Sequence, residues 1–428
     1  MLFLPGFQEV ARQPSADELD TEGEGTELPP LIRPGERYET PIAGEGFWAE
    51  VLGFRIEVEP DDRSSFSAWT TGLIWTPDVA DYEQVPYGAL YFWRRPDEDH
   101  FFRATLVGVA NELTYARSPE GWGDFETVLG FENYTPFWDW AEAADGERNE
   151  GEELLWGTVR GGVGIGWRKT MAPWANDNMF EAAVLFEPGY FYSNEGKETD
   201  ASYVAPENTT EARLHLKVRR DALLRNVLEL PHEGYSLGFD AVYGHRFDWK
   251  DWGPNGENAA EDGDDYRLLT GYAALVTGVP GVDSERHRLL TTAYAGVGGD
   301  VDRFSAPRIG GGPQGDEYYS ISRPVIPGAQ LQEFFPEHYA IAIAEYRYEP
   351  IFFSYLGLLG SVSWLDRDRL RSSGIERQDD TLASLGGRMS TGFFGNSRLQ
   401  LEYHYNFGLV RDGEYGGHTL IFSVSGSF

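Results

Sequence analysis

The sequence predicts an all-β protein, a sixteen-stranded antiparallel transmembrane β-barrel. Three observations predict it. Apolar and polar residues alternate with period two along most of the chain. Connections alternate between short and long. Gly and aromatic residues are abundant, with 51 Gly, 13 Trp, 23 Tyr and 26 Phe in 428 residues. A strand turns successive side chains to opposite sides, so period two gives each strand one oily and one wet face. Many glycines and aromatics suit β architectures with many turns.

Residues 1–45, including "SADELDTEGEGTELPPLIRPGE", are acidic, rich in Pro and Gly and without periodicity. They read as an irregular N-terminal periplasmic segment, either a disordered tail or a plug that braces the rest. The barrel is expected over 46–428. Its strands are expected near 47–59, 64–76, 87–95, 99–117, 122–132, 152–170, 178–193, 211–221, 233–248, 266–278, 285–298, 338–348, 351–364, 380–393, 398–410 and 417–428. In 398–410, Leu399, Leu401, Tyr403, Tyr405, Phe407 and Leu409 share one face, and Arg398, Gln400, Glu402, His404 and Asn406 the other. Leu420, Phe422, Val424 and Phe428 alternate with Ser423, Ser425 and Ser427. Leu214, Leu216 and Val218 alternate with Arg213, His215, Lys217 and Arg219.

Connections after even-numbered strands are mostly short, such as "EP" at 349–350 and "GNS" at 395–397. Several after odd-numbered strands are long and acidic, such as "DWAEAADGERNEG" and "DWKDWGPNGENAAEDGDD". Short turns at one end and long loops at the other describe an outer-membrane barrel. Aromatics cluster at strand ends, in "LYFWRR" (90–95) and "FEPGYFY" (186–192), as interfacial girdles do. The soluble alternatives are a sandwich, with its oily faces inward, or a propeller, but no blade repeat of 40–50 residues is present.

The formal net charge is −35 and the sequence pI near 4.5, so phosphate backbones would be repelled and nucleic acid is not an expected partner. The acidity has two ordinary sources, a high-salt habitat or acidic surface loops. No Cys is present, which excludes disulfides, thiolate metal sites and a Cys nucleophile. No run of 18 apolar residues exists to form a membrane helix. "MLFLPGFQEVARQ" has too short an apolar core and no basic flank for a complete signal peptide, so the leader of an exported protein is expected outside this chain.

Other constellations carry little chemistry. The glycines of "IGGGPQGDEYY" (309–319) lack the helix and Lys that a phosphate cradle needs; backbone geometry is their expected use, with positive φ and close approach to the barrel wall. Asp262, Asp264 and Asp265, with Glu257 and Glu261, form a weak Ca²⁺ candidate without EF-hand spacing; a solvated loop is the readier reading. "DRDRLRSSGIERQDD" (366–380) reads as a loop of exposed ion pairs. The stripe Arg213, His215, Lys217 and Arg219 would attract anions or, more simply, neutralise acidic strands carrying Glu345 and Glu349. The eight His are scattered and no "GxSxG" occurs, so no hydrolase, no catalytic residue and no cofactor is expected.

A family resemblance enters at three places. "RRDALLRNVLELPHEGYSLGFDAVYG" (219–244) is similar to the "RD…P…G" strand turn of the BamA/TamA-like outer-membrane assembly and translocation superfamily, which includes the two-partner secretion transporters. Arg220, Asp221, Pro231 and Gly234 carry that periplasmic-turn match. "RFSAPRIGGGPQGDEYY" (303–319) resembles the start of the family's long sixth outer loop, which folds back into the lumen. "AEYRYEPIFFSYLGLLGSVSW" (344–364) resembles the strand pair that follows. Eleven expected strands precede this loop and five follow, as in the family. The resemblance covers about 46–428 and implies a sixth-loop tip at Gly310, Gly311, Gly312, Pro313, Gln314, Gly315 and Asp316. Two positions depart from it. Gln314 stands where the family has Arg, and Gly360 matches the position of the Arg's Asp partner, so both halves of a lumenal ion pair are absent together. The forty-five irregular residues before the expected barrel are not expected to build even one of the family's client-capture domains.

The resemblance implies a barrel in the bacterial outer membrane that serves protein assembly or export with partner subunits. Outer-membrane lipids, lipopolysaccharide and other envelope proteins are the expected partners. The implied mechanism uses a weak seam between the first and last strands, placed at Glu50, Arg55, Leu420, Phe422 and Phe428, where a client strand would add by β-augmentation. The alternative is a non-catalytic pore, anchor or scaffold within an envelope complex.

Overall fold

The computed structural model describes residues 39–51, 53–60, 63, 65–79, 83–97, 99–170, 179–256, 263–313, 320–371, 374–393 and 397–428. Among them, sixteen strands close into one antiparallel barrel. They are β1 Ser65–Trp75, β2 Gln84–Arg94, β3 His100–Leu106, β4 Ala110–Arg117, β5 Phe125–Tyr134, β6 Leu154–Thr170, β7 Met179–Glu195 and β8 Thr209–Arg225. The second half comprises β9 Pro231–Arg246, β10 Asp265–Gly278, β11 His287–Gly299, β12 His338–Ile351, β13 Ser354–Arg371, β14 Gly374–Phe393, β15 Ser397–Arg411 and β16 Glu414–Ser427. Each strand pairs with its chain neighbours, and β16 returns to β1. The wall is uneven: β3 has 7 residues and β1 11, whereas β11 has 13 and β14 20.

The expected count of sixteen is met through two offsetting differences. The stretch expected as the first strand, 47–59, is a separate hairpin, Phe47–Val51 with Phe54–Val58, outside the barrel sheet. The stretch expected as one strand, 99–117, is the hairpin of β3 and β4. Asn111 makes that turn: its Oδ1 accepts the N–H of Val107 and Gly108 at 3.0 and 3.1 Å, and its Nδ2 donates to the Gly108 carbonyl. Gly108 there has φ +81°, a conformation glycine adopts freely. The barrel sheet therefore begins at Ser65 rather than at 46. The stretch 366–380, expected as a loop, is mostly strand, shared by the outer ends of β13 and β14.

The residues before the barrel pack against its short-turn end. Thr40 N–H donates to Glu285 at 3.0 Å, and Ala43 N–H to the Arg225 carbonyl at 2.8 Å. Phe47 meets Phe352 edge to face, with ring centroids 5.7 Å apart. Arg63 grips Glu229 through two hydrogen bonds of 2.6 and 2.9 Å.

Alternation sorts the wall into an oily outside and a buried inside. Val163, Ile165, Leu358 and Val362 are more than half exposed, while Gln400, Glu402, His404 and Asn406 are buried. The inside is not uniformly wet, however. Tyr294, Ile341, Ile343, Leu365, Leu382 and Leu409 form a buried apolar cluster with Ile309, Val325, Ile326, Ala329 and Phe334 of the 300–337 connection. Leu409 was expected on the oily face. A register shift between Asn406 and Val410 turns it inward.

Candidate functional site

The long connections meet at one end of the barrel and tie its walls together. Loop 135–153 leaves β5, yet its Glu142 accepts from Arg367 of β13 at 2.9 Å and its Asp145 from Arg369 at 2.6 Å. The Asp145 carbonyl also accepts the Asp412 N–H, between β15 and β16. β5 and β13 are eight strands apart in a ring of sixteen, so this loop crosses the mouth. Beside it, Trp156, Phe191, Tyr203, Trp249, Trp252, Phe304 and Phe335 pack into an aromatic core drawn from several loops and strand ends. Arg246 of β9 fastens this core to loop 300–337 through two hydrogen bonds to Asp302, 2.6 and 3.1 Å long.

Loop 300–337 makes its own contacts with the buried wall. Tyr294 donates to the Ile321 carbonyl at 3.1 Å, Asn406 to the Pro327 carbonyl at 2.9 Å, and Thr419 to the Ala329 carbonyl at 3.2 Å. Arg411 grips Glu333 with two bonds of 2.7 Å. The glycines serve the loop's own backbone. A Cβ at Gly310 or Gly311 would collide with the carbonyl oxygens of Gln330 and Ala329, so the close approach is to the loop's returning arm rather than to the wall. Of the three, only Gly312 has a positive φ, +155°. Pro313 is described; Gln314, Gly315 and Asp316 lie outside the described residues.

Sequence reading missed Arg308, one residue before this stretch. Its guanidinium lies 3.3 Å from the Tyr134 ring centroid and 4.1 Å from that of Trp156. Burial lowers its pKa to about 10. Cation–π contact thus fixes the loop to β5 and β6. A cation next to a Gly run was the available signal. Gly360 faces the oily side, between the exposed Leu358 and Val362, while Leu359 and Ser361 are buried. It is therefore not a position from which a side chain could reach the loop.

The seam is also relocated. β16 meets β1 through Leu420↔Trp75 to Ser427↔Ala68, eight register pairs. Leu420 and Phe422 belong to it, and Phe428 follows it with its N–H on the Ser67 carbonyl. Glu50 and Arg55 do not: they oppose each other in the separate hairpin. Across the seam, His418 N–H donates to Asp78 at 3.0 Å.

The turn residues are brought together around 226–230. Asn226 Oδ1 accepts the N–H of Leu228 and Leu230, and Asp221 pairs with Arg225 at 3.3 Å. The Pro231 carbonyl accepts from Arg347 at 2.7 Å. Gly234 has φ +104°, and a Cβ there would meet the Ala222 carbonyl. Arg220 stands 5.9 Å from the Tyr235 ring.

The basic stripe is neutralised, though by other partners than expected. Arg213 pairs with Glu187 at 2.6 Å and Glu132 at 3.1 Å, His215 contacts Glu187 and Asp240, Lys217 lies 3.5 Å from Glu112, and Arg219 pairs with Asp240 at 2.7 Å. Glu345 is instead held by Arg347 and Arg388, and Glu349 by Thr40. Of the weak Ca²⁺ candidates, Asp262, Glu257 and Glu261 lie outside the described residues. Asp265 accepts from Tyr243 and contacts His245, and Asp264 accepts the Asp265 N–H.

No family model and no curated protein matches the chain. Solved structures do. CdiB from Acinetobacter baumannii matches at 9% identity and TM-score 0.46, over 91% of this chain and 64% of that one. BamA from Haemophilus ducreyi lacking POTRA domains 1-3 matches at 10% identity and TM-score 0.48, over 90% and 75%. CdiB from Escherichia coli matches at 13% identity and TM-score 0.44, over 91% and 67%. This chain thus spans less than two thirds of the first of these. All three TM-scores lie below 0.5, so the functional reading rests on the chain's own residues and geometry.

Proposed function

We propose that this chain is an outer-membrane barrel that works through its wall, in protein assembly or export with partner subunits, rather than through an open bore. It is not an enzyme on this reading. The observation that carries it is the seam. β16 and β1 share eight register pairs, whereas β6 and β7 share fifteen and β13 and β14 eighteen. The junctions from β2 to β5 share only five to eight, but a chain turn closes each of them and none joins β16 to β1. The seam opens at lower cost than the tall wall, and an opened seam presents a strand edge for β-augmentation. The crossed mouth supports the same reading, because loop 135–153 lies where a solute would pass. The polypeptide client comes from the sequence resemblance.

Because the chain has no Cys, Thr71→Cys with Val424→Cys places one cross-strand disulfide at the seam. Cells relying on this variant are expected to lose other outer-membrane barrels under oxidising conditions and to regain them on reduction. Undiminished levels with the disulfide fully formed would sink the wall mechanism.

A passive scaffold is the second reading. Two ties favour it: Asp78 accepts the His418 N–H across the seam, and Glu333 holds Arg411 of β15, the strand next to it. On that reading the locked variant behaves as the unmodified protein.

A further inference from the structure

An edge without a strand beside it lies in the wall, one strand from the seam. β2 is paired with β1 along its whole length, from Gln84↔Trp75 to Arg94↔Ser65. On its other side β3 reaches only Leu90↔Leu106 to Arg94↔Phe102, five pairs. On that side, residues 84–89 of β2 therefore have no strand beside them among the described residues. The β3–β4 hairpin ends below, at Val107 and Gly108, so the gap is two strands wide, about 10 Å. Trp69, Thr70, Gly88, Ala89, Leu90 and Leu106 line its near side. On its far side Thr135 N–H donates to the Val109 carbonyl at 2.7 Å. The chain that leaves from there carries Phe137 and Trp138, 83% and 40% exposed.

The register says which backbone groups face the gap. Thr76 N–H donates to the Glu83 carbonyl at 2.7 Å, so that pair is of the hydrogen-bonded kind. Antiparallel ladders alternate, which turns Val85, Tyr87 and Ala89 toward β1 and Gln84, Pro86 and Gly88 toward the gap. The Thr71 hydroxyl, donating to the Tyr87 carbonyl at 3.2 Å, agrees with this phase. The gap edge then offers the carbonyls of Gln84, Pro86 and Gly88 as acceptors and the N–H of Gln84 and Gly88 as donors. Proline lacks an N–H, and its phase here costs the β1 ladder nothing.

We infer that this gap is a docking groove for one extended polypeptide strand, added antiparallel to β2 along residues 84–89 in the track that β3 leaves empty. Hydrogen-bond chemistry selects the occupant. A lipid ester supplies acceptors but no donors, whereas another backbone supplies both in alternation. The exposed Phe137 and Trp138 suit a strand with one oily face. Gly88 has no side chain to obstruct it, and Pro86 keeps the edge from templating a long, continuous sheet. The inference rests on the proposed handling of polypeptide strands but assigns a site that the seam does not contain.

Amide-resolved hydrogen exchange on the purified full chain in detergent tests it, with a synthetic peptide of residues 414–428 as probe. In the free protein, Gln84 and Gly88 are expected to exchange at least about tenfold faster than Val85 and Tyr87, and the peptide is expected to slow them by a similar factor. A scrambled peptide without alternation should not. Lengthening the β3–β4 hairpin by about twelve residues between Val107 and Gly108, about six on each arm, fills the track and should abolish the protection. Locking the seam at a pair that lies outside the groove, with Ala68→Cys and Ser427→Cys, should leave it intact. Uniformly slow exchange along 84–89 in the free protein overturns the groove, as does the absence of peptide protection. Protection that survives the lengthened hairpin overturns it too. Protection lost only on locking the seam also overturns it, while leaving the wall mechanism standing.

Discussion

Two sectors of the barrel interior solve the same problem in opposite ways. From β5 to β9 the inner face is charged: Glu132, Arg160, Glu187, Arg213, His215 and Asp240 bond to one another across strands. From β11 to β15 much of it is apolar, and the 300–337 connection supplies Ile309, Val325, Ile326, Ala329 and Phe334 as its partner. A charged wall must satisfy itself, because every buried donor and acceptor needs a mate. An apolar wall needs something to exclude water, and here a loop does so. The difference teaches that "oily out, wet in" holds only where the interior has no packed occupant.

The charged sector should respond most strongly to losing one member of a pair. Glu187→Ala leaves Arg213 and His215 short of an acceptor, and such a loss costs about 3–5 kcal/mol. Removing Glu187 and Arg213 together should cost less than Glu187 alone. Glu132 keeps Arg160 at 2.6 Å, and His215 keeps Asp240 at 3.0 Å. Denaturant midpoints of both variants in one detergent check this. Equal or additive losses would show that the charges are not energetically joined.

The apolar sector should respond to volume instead. Ile326 is fully buried among Tyr294, Tyr339 and Leu382. Ile326→Ala should cost about 2–5 kcal/mol, and Ile326→Val about 0.5–1.5. A loss as large for Val as for Ala would break the comparison, since it would mean that shape rather than buried volume governs this face.

How much of this was legible follows from the same contrast. Alternation along 398–406 placed Gln400, Glu402 and His404 inside, because a regular strand keeps its parity. It failed at Leu409, where a bulge shifts the register by an amount no local composition announces. It failed at Gly360, where a motif match ignored which face the position occupies. The β3–β4 turn was written in Gly108 and Asn111 but stood inside an alternating run. The first strand was misplaced because 47–58 alternates as a barrel strand would, and only pairing partners tell a hairpin from a wall. Arg308 and the mouth-crossing pairs of Glu142 and Asp145 join residues more than 150 positions apart, or depend on ring stacking, which sequence periodicity does not encode.

The smallest expected effect lies where the two strategies meet, in the mouth. Glu152 and Arg303 are both buried, 3.9 Å apart, one on each of the two long loops. Asn149 beside Glu152 and Tyr203 beside Arg303 are their polar neighbours. Burial, only partly offset by Arg303 and reinforced by Glu142, raises the Glu152 pKa to about 7. A carboxyl raised in the fold favours its protonated form there. Its contribution is therefore full below the unfolded value of about 4.5 and is lost as pH rises toward 7. Amides of 150–154 and 301–306, corrected for intrinsic rates, should accordingly be better protected at pH 5 than at pH 8. Glu152→Gln should remove that difference while keeping the shape. Should the pH dependence persist in Glu152→Gln, a group other than Glu152 governs the mouth, and the contact between the charged and apolar strategies lies elsewhere.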